Sequence, residues 1–73
     1  MSTTKIEVEL TPSEKEISLV KMLSDGINQD SIAEAIGQNK FTMATELAAL
    51  RQRYQCKNST HLVAFFLRNG LIT

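Results

Sequence analysis

Three stretches of the chain repeat their apolar residues at three- and four-residue intervals, the spacing that lines one face of a helix. Ile32, Ala33 and Ile36 form one such face in a helix predicted over residues 29–36, with Asn28 as its cap and Gly37 as its exit. After a short polar turn, Met43, Leu47, Leu50 and Tyr54 mark a buried stripe in a helix predicted over about 40–54. That stripe leaves Lys40, Phe41, Ala44, Thr45, Ala48 and Arg51 on the other faces. The two segments together read as a helix-turn-helix, an arrangement that holds its second helix out for the major groove of duplex DNA.

An earlier helix begins at Ser13, which stands three residues before Glu16 in the capping-box arrangement, and stops at Ser24-Asp25-Gly26. A fourth is predicted over about 60–69, capped by Ser59 or Thr60 and stopped at Gly70. In it Leu62, Val63, Phe66 and Leu67 make one apolar stripe, while His61, Ala64, Phe65 and Arg68 make a second face. Phe65 then lacks an obvious intrachain partner. Either two copies of this helix cross to bury it, or it packs on the N-terminal leader. The leader, residues 1–12, is expected to be extended or disordered; 5–10 alternate polar and apolar, as a strand or an arm laid on the core would. Residues 13–73 make one all-α helix-turn-helix domain.

Seventy-three residues support a core worth only ~3 to 5 kcal/mol, so a dimer would supply what a monomer lacks. The formal net charge is zero, but the charges are unevenly placed. Through Asn39 seven acids face three cations; from Lys40 onward Lys40, Arg51, Arg53, Lys57 and Arg68 face only Glu46. Phosphate binding depends on local charge, so the second half is the end suited to a polyanion. Cys56 is the single cysteine and His61 the single histidine, which rules out an intrachain disulfide and a closed zinc site. Cys56 is read as a small buried hydrophobe. No glycine loop cradles phosphate and no nucleophile has a base beside it, so neither an enzyme nor a cofactor is expected. With no signal peptide and no run of ~20 apolar residues, the chain is expected to be cytoplasmic and away from the membrane.

Residues 26–72 resemble, without a gap, the four-helix DNA-binding domain of LuxR/GerE-type transcription regulators. The elements that carry the likeness are Gly26-Ile27-Asn28-Gln29, Ile32-Ala33-Glu34 with Ile36-Gly37, Thr42-Met43, Asn58-Ser59-Thr60, and the ending Leu67-Arg68-Asn69-Gly70-Leu71-Ile72. Upstream, Leu10-Thr11-Pro12-Ser13-Glu14 looks like the family opening but stands two residues early, so either the first helix is extended or the string is coincidental. The resemblance implies a third helix in the major groove, a fourth helix forming a two-fold dimer, and usually a sensory domain in front. No such domain is expected here, and control is expected to come from the protein's own abundance or from a partner.

The candidate DNA-contacting set is Asn28, Gln29, Lys40, Thr42, Ala44, Thr45, Ala48, Arg51, Arg53 and Lys57; the candidate dimer set is His61, Ala64, Phe65 and Arg68. Lys40, Arg51, Arg53 and Lys57 are read as phosphate clamps together with the amides near residues 28–30, and Thr45 as a base reader. The chain departs from the family at Ala44, Ala48 and Glu46, where Lys, often Lys, and His are usual. Alanine offers only a methyl for thymine, and Glu46 either accepts from cytosine or turns inward. The leading expectation is a small homodimeric transcription regulator binding double-stranded DNA. A protein-interaction module of the same fold, which pairs with a LuxR-type regulator and modulates it, is the alternative. A ribbon-helix-helix repressor using residues 6–10 fits less well, since Glu7 and Glu9 would meet the phosphates.

Overall fold

The computed structural model describes residues 11–73, which form four helices: α1 (Glu14–Ser24), α2 (Gln29–Ile36), α3 (Lys40–Arg53) and α4 (Ser59–Arg68). The fold is all-α, with no strand among the described residues. The strand-or-arm expectation for 5–10, and with it the ribbon-helix-helix reading, lies outside the described residues.

Each helix starts on a side chain that satisfies an otherwise orphaned amide. The Ser13 hydroxyl accepts from the Glu16 amide at 3.1 Å while Glu16 accepts from the Ser13 amide at 2.9 Å, the reciprocal box expected from the sequence. Asn28 accepts from the Ser31 amide at 2.9 Å and Asn39 from the Thr42 amide at 2.8 Å. The α4 cap is Asn58, which accepts from the His61 amide at 2.8 Å, so Ser59 and Thr60 are helical residues and not the cap. The expected bounds of 60–69 move back by one residue accordingly.

All four helices close in the same way. The amide that follows the left-handed residue reaches back five positions to a helical carbonyl: Ile27 to Met22 at 3.1 Å, Gln38 to Ala33 at 2.8 Å, Cys56 to Arg51 at 2.7 Å and Leu71 to Phe66 at 2.9 Å. The closure needs a left-handed residue at its bend. Gly37 supplies it between α2 and α3 at φ 74°, which permits the abrupt change of direction that separates those helices. At the end of α3 the same position is held by Gln55 at φ 57°, the one non-glycine residue with positive φ among the described residues.

α1 packs on α2 and α4, α2 on α3, and α3 on α4, which leaves a core shared by all four. Leu19 and Val20, Ile32 and Ala33, Met43, Leu47 and Leu50, and Leu62 and Phe66 are its buried members, joined by Cys56 and Ile72 from the loops. The α3 stripe expected from the spacing is the buried one, with Tyr54 partly buried as the C-cap just beyond the helix. Burying a leucine- or phenylalanine-sized side chain contributes roughly 1.5 to 3 kcal/mol, so this cluster carries most of the stabilisation.

Candidate nucleic-acid interface

With Met43, Leu47 and Leu50 committed to the core, geometry sends the opposite side of α3 to solvent. Lys40, Phe41, Thr42, Ala44, Thr45 and Gln52 are exposed, and Ala48 and Arg51 are half-buried. Phe41 is 86% exposed, against 47% for Leu67 and 38% for Ile27, the other exposed large apolar side chains described. It lines the mouth of a groove of about 540 Å³ between α2 and α3, with Lys40 and Gln38 beside it and Asp30, Ser31 and Glu34 on the facing helix. Phe41 is absent from the candidate set drawn from the sequence, although the spacing of Met43, Leu47 and Leu50 already placed it outward.

The acid of α3 does not share that exposed side. Glu46 Oε2 accepts from Lys15 Nζ and from Gln38 Nε2, both at 3.2 Å, which ties α1, the 37–39 turn and α3 together. Of the two orientations open to Glu46 on sequence grounds, the inward one is adopted. Its second oxygen and the Gln38 oxygen are buried and have no hydrogen-bond partner among the described residues, a cost of about 1–3 kcal/mol per group.

The five cations of the second half divide into three kinds. Arg53 donates to Glu16 Oε1 at 2.6 Å and lies over the Tyr54 ring at 5.1 Å, so its guanidinium is held within the chain. Burial alone would lower its pKa, but the hydrogen bond and charge of Glu16 outweigh this and raise it. Lys40 stands 3.8 Å from Asp30 with both side chains largely exposed, a loose pair that solvent screens. Arg51, Lys57 and Arg68 have no carboxylate within ion-pair distance among the described residues. At the start of α2, Asn28 spends its side-chain oxygen on the Ser31 amide, and Gln29 is exposed beside it.

Two side chains of α4 exchange the positions expected of them. Phe65 is half-buried, its ring 5.2 Å from Tyr54 and 6.2 Å from Phe66, so it has the intrachain partner that the helical wheel failed to offer. Leu67, expected in the apolar stripe, is 47% exposed. Tyr54, which follows α3, offers its ring to Phe65 and Phe66, and this draws the side of α4 that carries residue 65 toward the core. His61 is also half-buried, and its Nδ1 accepts from the Lys57 amide at 3.0 Å. Ala64 is half-buried and Arg68 exposed.

Cys56 is buried, with its thiol 3.7 Å from the Tyr54 carbonyl, and burial pushes its pKa up. A thiol held in its protonated form is a weak nucleophile, in keeping with a packing role. Burial likewise raises Tyr54 despite the nearby Arg53 charge. No helix among the described residues is long and apolar enough to cross a membrane.

The geometry therefore defines an all-α chain of four helices that presents one side of α3, low in charge and free of acid, between cations. No protein-family model, curated protein or solved structure matches the chain.

Proposed function

We propose that the protein is a small DNA-binding transcription regulator of LuxR/GerE-type architecture, in which α3 lies in the major groove of duplex DNA and α4 joins two copies. The observation that carries this reading is the inward orientation of Glu46. It is the sole acid of α3, and its engagement with Lys15 and Gln38 leaves the exposed side of that helix without negative charge. A carboxylate in a groove walled by phosphates costs affinity, and here that cost is avoided. Arg51 and Lys57, without an ion pair among the described residues, are the phosphate contacts this reading relies on, with Lys40 available once it leaves Asp30. Thr42 and Thr45 supply hydroxyls to base edges or phosphates.

The test is binding to a random duplex pool at low and moderate salt, comparing wild type with Arg51→Ala and Lys57→Ala. Each variant should weaken binding to all sequences alike and reduce the salt slope by about one. Absence of binding by the folded protein at low salt would sink the reading. One observation favours a second: Phe41, 86% exposed on a face of low charge, would serve a module that pairs with a LuxR-type regulator and modulates it. A stable complex with such a regulator, formed without DNA, would support it.

A further inference from the structure

We propose that the exposed side of α3 reads thymine, with the Phe41 ring covering C5-methyl groups in the major groove and Ala44, Thr45 and Ala48 continuing the same apolar contact along the helix. This rests on the DNA-binding reading above and specifies what the interface recognises.

Four observations lead to it. Phe41 stands on the first turn of α3 at 86% exposure, so almost none of its hydrophobic potential is used within the chain. Residues 44, 45 and 48 follow it at helical spacing and form one strip with it. The strip also lacks the side chains that recognise other bases. Guanine is read by arginine or lysine and adenine by asparagine or glutamine, whereas alanine, the threonine methyl and phenylalanine meet the thymine methyl. Gln38 and Glu46, which could have reached base edges, are bonded to each other, and Gln52 lies on the last turn, far from the end of a groove-reading helix that makes most base contacts. Finally, Lys40 and Arg51 share one flank of the strip, eleven residues apart. A methyl-lined groove floor edged by phosphates complements an apolar strip flanked by cations, while an apolar protein surface would leave Arg51 without a counterpart.

The experiment recovers preferred duplexes from a random pool at about 50 mM salt. The strongest is then resynthesised with deoxyuridine in place of every thymine, which removes the methyl and keeps the pairing. Affinities of wild type and Phe41→Ala are measured for both duplexes by fluorescence anisotropy. Wild type should bind the deoxyuridine duplex about fourfold more weakly for each methyl it covers, and Phe41→Ala should lose most of that discrimination. Because residue 41 is exposed, the variant should unfold at the wild-type temperature. Equal wild-type affinity for the two duplexes would overturn the thymine assignment and leave the DNA reading intact. Full discrimination retained by Phe41→Ala would overturn the role of Phe41. No binding to any duplex by the folded chain would overturn both the assignment and the reading beneath it.

Discussion

Arg53 and Glu16 are joined at 2.6 Å across 37 positions of sequence, and the same Glu16 oxygen also accepts from the Ser13 amide that opens α1. One carboxylate thus closes the start of α1 and holds the end of α3. Glu16→Gln keeps an oxygen for the capping box but removes the charge, and should cost about 0.5–1 kcal/mol in urea unfolding. The freed guanidinium then joins Arg51, Lys57 and Arg68 as a fourth unpaired cation among the described residues of the second half. Duplex binding should tighten at low salt and its salt slope steepen by about one, so stability and DNA affinity move in opposite directions. Weaker binding by this variant would show that Arg53 contributes nothing at the interface when released.

Asp30 tests the same logic from α2. Its carboxylate lies 3.8 Å from Lys40 beside the α2–α3 groove, where it would oppose a phosphate if the proposed DNA binding holds. Asp30→Asn should change stability by less than about 0.5 kcal/mol, because the pair is exposed. It should strengthen duplex binding at low salt, with the gain vanishing as salt rises. Titration of labelled duplex at two salt concentrations checks both statements.

Gln55 occupies the left-handed bend that glycine fills at the other three helix ends. A side chain there costs roughly 1–2 kcal/mol, partly offset by the greater unfolded-state freedom of glycine. Gln55→Gly should therefore stabilise the fold by about 0.5–1 kcal/mol, seen as a higher midpoint in thermal unfolding. An unchanged or lower midpoint would contradict the account of how α3 ends.

Phe65 and Leu67 separate packing from association. Phe65→Ala removes a ring stacked on Tyr54 and should destabilise the monomer by about 2 kcal/mol. Leu67→Glu alters a side chain that is already 47% exposed and should leave folding intact while shifting a dimer formed through α4 to monomer in sedimentation. If Leu67→Glu sediments like wild type, the Leu67 side of α4 is not the interface.

Alkaline pH should weaken the fold. The folded state raises the pKa of Cys56 above its usual 9.0 and that of Tyr54 above its usual 10.0, so the unfolded chain releases those protons first. Their contribution is complete below these values and is lost as pH rises through the folded ones. Arg53 is raised too, which places its loss at still higher pH. Denaturant midpoints should hold steady from neutrality to about pH 9 and then fall, with a shallower decline in a Tyr54→Phe, Cys56→Ala double variant.

Helix positions were legible because caps and stops act over three or four residues. Ser13 with Glu16, Asn28 and Gly37 sit beside the amides and carbonyls they satisfy. Where Asn58, Ser59 and Thr60 follow one another, each suits a cap, and only the extended backbone at Asn58 selects it. The side chains that shape the candidate interface depend on distant partners instead. Glu46 turns inward because Lys15, 31 residues earlier, meets it, and Phe65 turns inward because Tyr54 lies across from it. A helical wheel contains neither neighbour, which is why Phe65 was expected outside and Leu67 inside.

The ring contacts among Tyr54, Phe65 and Phe66 also bear on length measurement. They clamp the exit of α3 to α4 with centroids 5.2 to 6.2 Å apart, leaving little room for one helix to swing against the other. Two copies joined through α4 would then behave as a caliper of fixed span, its two α3 tips set at one distance and one relative angle. Inserting a single base pair between half-sites rotates one of them by about 34° around the duplex, more than a stiff caliper can follow.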